Sequence, residues 1–182
     1  MGGTRHHAPE GAQGEPSDAD WVRAAVERYE VPLLRYARRL LADPERARDA
    51  VQDAFLRLVR ARRAEVDDHL AEWLYTVVRR RAMDLRAKEQ VVQTNDEGLV
   101  ERAGVALETP PMVMEGTERA ERVRARVRAL PEQQAEVLTL KFHHGLSYRQ
   151  IAKVTGLQES HVGVLLHRAL CKLREQLGEV VQ

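Results

Sequence analysis

Few side chains in this 182-residue chain are grouped so that they could make or break bonds. His167 and Cys171 lie four apart on one face of a helix, a spacing that suits two metal ligands. Apart from His143-His144 no second pair accompanies them, so no metal is expected, and Cys171 reads as packing within a helix hairpin. His6-His7 sits in a Gly- and Pro-rich stretch without partners. The sequence holds no Gly-rich phosphate loop, no G-x-S-x-G and no H-E-x-x-H. The reading is therefore no enzyme and no cofactor, and the chemistry on offer is recognition. Arg79, Arg80, Arg81, Arg86 and Lys88 form one cationic run, with Trp73 and Tyr75 upstream of it. Cations that track phosphates and aromatics that stack on bases are the means of single-strand binding. Trp73 and Leu74 read more readily as core than as stacking residues.

A second recognition element lies near the C-terminus. Ser147 and Gln150 have the S-x-x-Q spacing of a capping box, which writes in the start of a helix. Ala152 is small where two helices must cross closely. Gly156 falls where a tight turn needs a positive φ, and Leu157 and Val162 are the apolar anchors between the helices. A second amphipathic run, Gln158 to Leu177, follows. This is helix-turn-helix spacing, in which the second helix enters a DNA major groove. An ordinary helical hairpin with a glycine cap would share the turn but not the full set.

The elements that position these residues are helical. Hydrophobic residues make up 43% of the chain, charged residues 31% and aromatics only 4%, a balance that argues against a large sheet. One cysteine rules out an intrachain disulfide and suits a reducing cytoplasm. No apolar stretch approaches the ~20 residues of a membrane span. The net charge of +1 conceals a pattern: residues 1–20 carry −3, 21–88 carry +5, 89–121 carry −6 and 122–182 carry +5. Two basic blocks around an acidic connector fit two nucleic-acid-facing lobes.

Apolar spacing predicts a helix over Trp21 to about Leu41, with Pro32 as a break or kink. Asp43-Pro44-Glu45 starts a second, which places Ala47, Ala50, Val51, Ala54, Phe55, Leu58 and Val59 on its buried face. Asp67-Asp68-His69 marks a turn, and a third helix runs from about Leu70 to Lys88. Periodicity fades between about Glu89 and Gly116, where Thr109-Pro110-Pro111 resists any helix. Helices resume at about Thr117 and at Pro131, the latter burying Val137, Leu138, Leu140 and Phe142. The fold class is thus all-α: a tail over 1–20 that is neither signal peptide nor folded, a helical domain over 21–88, an acidic linker over 89–116, and a helix-turn-helix domain over 117–182.

Three stretches in this order carry a resemblance: Arg48 to Leu58, Glu72-Trp73-Leu74-Tyr75-Thr76 leading to Ala82-Met83-Asp84, and Leu130-Pro131 through Arg174. Together they resemble the extracytoplasmic-function branch of the sigma-70 class of bacterial transcription initiation factors. The resemblance implies a cytoplasmic factor, not inserted in a membrane, whose partners are core RNA polymerase, promoter DNA and an anti-sigma factor. It implies that Asp49, Gln52, Asp53, Leu56 and Arg57 dock on the polymerase. It gives Arg79, Arg80, Arg81, Arg86 and Lys88 to the minus-10 element. To the minus-35 element it gives Arg149, Gln158, Glu159, Ser160, His161, Gly163, Val164 and His167, with Arg168 and Lys172 nearer the backbone. The linker, with Asp96, Glu97, Glu101 and Glu108, would run through the polymerase interior.

Two departures stand out. Where the family usually shows Gly-Thr-Val-Lys-Ser-Arg-Leu, this chain has Ser160-His161-Val162-Gly163-Val164-Leu165-Leu166, without a lysine and an arginine. Arg80 stands where asparagine is common. A promoter of unusual sequence, bound less salt-dependently at the minus-35 element, is the expectation. A stand-alone helix-turn-helix regulator is the alternative, and it predicts palindromic DNA bound by the free protein.

Overall fold

The computed structural model describes residues 17–41, 43–94 and 118–178, with side chains over 17–41, 43–88 and 123–176. The tail with His6-His7 and the linker carboxylates Asp96, Glu97, Glu101 and Glu108 lie outside the described residues. Among those described, the elements are eight α-helices and one short 3-10 turn.

Helix α1 spans Asp18–Leu40, and Ser17 caps it by accepting from the Asp20 amide at 3.2 Å. Pro32 does not break it. A proline inside a helix costs about 3 kcal/mol, but Leu33, Tyr36 and Ala37, fully buried just after it, hold the next turn in place. Helix α2 spans Pro44–Arg60, with Asp43 accepting from the Glu45 amide at 2.8 Å and Pro44 at the first position. Its buried stripe is Ala47, Ala50, Val51, Ala54 and Leu58; three alanines let it lie close to α1. Val59, expected on this stripe, is 63% exposed, because the row through 47, 51, 54 and 58 turns away from it.

The expected turn at Asp67 is a short helix, α3 (Arg63–Val66), followed by a 3-10 turn at Asp67–His69. The Trp21 indole N–H donates to Asp67 Oδ1 at 2.8 Å and ties this corner to the start of α1. Helix α4 runs Leu70–Thr94, past the Lys88 boundary drawn from the sequence. Apolar periodicity in the sequence fades near Lys88, whereas Lys, Glu and Gln are good helix formers that carry the helix on without it.

In the second half, α5 spans Glu118–Arg128, α6 Glu132–Phe142, α7 Tyr148–Thr155 and α8 Glu159–Gly178. Pro131 occupies the cap of α6 rather than its first turn. Helix α6 departs most from its sequence pattern. Phe142, expected inside, is 60% exposed, whereas Glu136 is only 5% exposed. The reason is that α6 is covered on two sides. It packs on α8, and side chains from α1 and α4 reach its other face at Glu136. The two halves meet where α4 lies against α7, and one continuous apolar core runs through both.

Candidate nucleic-acid interface

The helix-turn-helix is built from local interactions. Ser147 Oγ accepts from the Gln150 amide at 3.2 Å, and Gln150 Oε1 accepts from the Ser147 amide at 2.9 Å, so the capping box is closed in both directions. Gly156 ends α7 with φ of 75°, in the left-handed region, and its amide donates to the Ala152 carbonyl. A side chain at 156 would meet no neighbour, so glycine is needed there for its backbone conformation alone. Ile151 and Val162 are fully buried, Val154 nearly so, and Leu157 is half-buried, which locks α8 across α7.

This packing leaves Gln158, Glu159, Ser160, His161, Val164, His167 and Arg168 exposed along one side of α8, with Lys172 half-buried and Arg149 exposed on α7. Gly163 is half-buried beneath Tyr148, whose ring is 3.7 Å from where a Cβ would stand. Lys141 sits over the same ring at 5.3 Å. Leu165, at the position of the family arginine, is 6% exposed and belongs to the core. Of the two departures from the family pattern on this helix, only the one at 163 removes a cation from the outward side.

The cations of α4 are placed differently. Arg80 and Lys88 are exposed, and Arg81 is half-buried. The Arg79 guanidinium donates to Glu136, Nε to Oε1 at 2.9 Å and Nη2 to Oε2 at 3.5 Å. Arg86 donates to Glu132 through Nη1 and, at 3.4 Å, through Nη2. Tyr36 completes the site by donating its hydroxyl to Glu136 Oε1 at 2.7 Å. Sequence reasoning found Arg79 and Arg86 but not the carboxylates that hold them; no short-range pattern marks Glu136 as an interior residue.

The electrostatics follow from this burial. Desolvation, then the Glu136 carboxylate, pushes the Tyr36 phenol well above its usual range. For Arg79, burial works against the charge, but the hydrogen bonds and charge of Glu136 outweigh it and the guanidinium is held more firmly protonated. Tyr75 packs edge-on against Tyr36 with ring centres 5.3 Å apart, and its hydroxyl lies 2.7 Å from His144 Nδ1. Burial first, then His143 and Arg35, pulls His144 down to about 4, so the imidazole is neutral at neutral pH. At the other end of the seam Lys153 on α7 donates to Glu72 on α4 at 2.8 Å. Trp73 is half-buried against the core, and Leu74 is fully buried.

The α2 face holds Asp49, Gln52, Leu56 and Arg57 exposed and Asp53 half-buried; Arg57 and Asp53 pair at 3.0 Å. Leu56 is 58% exposed, and Val59 beside it extends the apolar patch. A mixed carboxylate, amide and apolar surface suits a protein partner more than a phosphate backbone. Cys171 Sγ lies 3.6 Å from His167 Nε2, yet no group of three metal-binding side chains occurs among the described residues.

Comparison with known proteins covers the same two halves. Residues 25–91 match the family model for sigma-70 region 2, and residues 120–173 match that for sigma-70 region 4. The chain is 26% identical over 164 residues to RNA polymerase sigma factor YlaC of Bacillus subtilis, covering 87% of this chain and 92% of that protein. It is 23% identical over 179 residues to ECF RNA polymerase sigma factor SigW of the same organism, covering 92% and 95%. Among solved structures, the sigma factor RpoE of Bartonella quintana, crystallised with the anti-sigma factor NepR, shares the fold with a TM-score of 0.62. The match covers 87% of this chain and 97% of that one at 23% identity.

Proposed function

This chain belongs to the extracytoplasmic-function branch of the sigma-70 class, and from that premise we propose how its faces divide the work of transcription initiation. As a sigma factor it binds core RNA polymerase and directs it to promoters. Its work is binding. We assign residues 21–88 to the polymerase and the minus-10 element, 117–182 to the minus-35 element, and 89–116 to the connection between them.

Within the first part, Asp49, Gln52, Asp53, Leu56 and Arg57 dock on the polymerase. The α4 cations Arg79, Arg80, Arg81, Arg86 and Lys88 hold the minus-10 strand. Opening base pairs there needs no covalent chemistry. Flipped bases are trapped as they leave the stack, and each trapped base offsets a few kcal/mol of unstacking. Within the second part, the exposed side of α8, from Gln158 to Lys172, enters the major groove at the minus-35 element, with Arg149 on α7 alongside. Val164, 44% exposed, is an apolar group suited to a thymine methyl. His161 and His167 take positions from which base edges can be read. The cytoplasm is the proposed place of action; no helix among the described residues is long and apolar enough to cross a membrane. An anti-sigma protein that covers these faces belongs to the same proposal.

The observation that carries this reading is the pairing, in one chain, of a fully capped helix-turn-helix with a separate arginine-rich helix. A stand-alone regulator would need only the first. Co-purification with core polymerase, then run-off transcription on a promoter library, tests it. The expected result is a stoichiometric complex and transcripts from one promoter class. Leu56→Asp should lose the complex. Specific binding of palindromic DNA by the free chain, with no affinity for the polymerase, would replace this reading with the stand-alone regulator.

A further inference from the structure

At two successive positions of α8 the lysine and serine of the family pattern are replaced by Gly163 and Val164. The start of the space that a long side chain at 163 would take is roofed by Tyr148, the first residue of α7. Its Cε2 and Cδ2 lie 3.7 and 4.0 Å from where a Cβ would stand. The ring is held from a second side. Lys141 places its ammonium 5.3 Å from the ring centre, and the same nitrogen donates to the Leu146 carbonyl at 3.4 Å. The closed Ser147–Gln150 box fixes the backbone from which the ring projects. A ring pinned in this way has little side-chain freedom left to lose on binding. Tyr148 is nevertheless 41% exposed, and Val164 is 44% exposed. An aromatic ring and a branched aliphatic thus meet α8 at successive residues, on a side otherwise made of Gln158, Glu159, Ser160, His161, His167 and Arg168.

We propose that Tyr148 is a specificity-determining residue of the minus-35 interface: with Val164, across Gly163, it forms an apolar step that takes the C5-methyl group of a thymine. This inference rests on the assignment of α8 to the major groove at that element. In the major groove thymine alone presents a methyl group, whereas guanine presents two acceptors, N7 and O6, that a lysine or arginine satisfies. Glycine at 163 offers guanine no donor, and an apolar step covering those acceptors would leave them without partners. A thymine methyl is gained instead as buried apolar contact. A phosphate contact by the Tyr148 hydroxyl would add affinity without sequence information, so the ring and not the hydroxyl sets the choice of base.

The test uses the full chain bound to core polymerase. Duplexes randomised over both promoter elements are selected by this complex. The selected class is then synthesised with deoxyuridine in place of each minus-35 thymine in turn, which deletes only the methyl group. One thymine should stand out, with affinity falling about fourfold when its methyl is removed, the worth of one buried carbon. Tyr148→Phe keeps the ring and should keep both the preference for thymine and the deoxyuridine effect. Tyr148→Ser should bind the thymine and deoxyuridine duplexes alike, and Gly163→Lys should turn the preferred base at that position to guanine. A role of Tyr148 in folding alone would weaken every duplex by the same factor and leave the base preference as it was, which would overturn the proposal. So would a wild type indifferent to deoxyuridine at every minus-35 thymine, or a selected minus-35 class without thymine. Failure of the sigma assignment would appear earlier and differently, as no complex with core polymerase.

Discussion

The two helices proposed to face DNA, α4 and α8, differ in what their cations touch before DNA arrives. On α8 the outward residues are exposed, and the turn that aims them is fixed by contacts within a few residues: the Ser147–Gln150 box and the left-handed Gly156. On α4, Arg79 and Arg86 are held by carboxylates 57 and 46 positions away in sequence. One surface stands open to solvent; two cations of the other are paired across the fold. The difference is set by long-range packing rather than by the number of arginines on a helix.

The comparison can be broken most forcefully at Glu136. Glu136→Ala removes one side of a buried ion pair and leaves Arg79 and Tyr36 without their acceptor, a change expected to cost about 3–5 kcal/mol. Because the pair joins the two halves, the loss should fall on the seam. Denaturant unfolding of the full chain, followed by circular dichroism, should separate into two transitions with α5–α8 melting first. A single transition at the wild-type midpoint would mean that the two helices are held alike.

Next comes pH. His144 is lowered to about 4 by burial, with His143 and Arg35 adding to the effect, against an ordinary value of 6.5. Its Nε2 is buried without a hydrogen-bond partner, so an added proton would find no acceptor there. Between these two values the unfolded chain binds a proton that the folded chain refuses. Stability should therefore fall as pH drops from about 7.5 towards 4 and stay nearly constant from about 7.5 to 8. Denaturant unfolding across that range checks it, and His144→Gln should flatten the step.

Smaller effects belong to the local side of the comparison. Gly156→Ala has room for its methyl group but forces an L-residue into the left-handed region, a cost of about 1–2 kcal/mol. It should lower the melting temperature and minus-35 binding while leaving oligothymidine binding unchanged. Smallest of all, Gly163→Lys restores one cation to α8 and should steepen the salt dependence of minus-35 binding by about 0.9 in log–log slope. Leu165→Arg, at a buried position, should lower stability instead of adding such a contact.

The same division explains what could be read in the sequence. The helix-turn-helix was legible almost completely, since cap, glycine and anchors act on neighbours and leave a local signature. The all-helical class followed from apolar spacing. Phe142 was misplaced, and Glu136 went unmarked, because α6 is covered from two sides, and a rule that assigns one buried stripe per helix cannot describe that. The length of α4 was underestimated because its last turns are no longer marked by apolar spacing. The α2 face was visible as a surface of mixed character, but its assignment to polymerase came from the family and not from its chemistry. Nothing in the order of residues pairs Arg79 with Glu136. That contact exists only once α1, α4 and α6 are folded together.

The most direct test of the account is the distance between α4 and α7, which pack against each other in the free chain, read by spin labels on exposed positions of each, before and after core polymerase is added. The account predicts one short distance in the free chain, replaced by a longer one at stoichiometric polymerase. An identical distance distribution in both samples would contradict it.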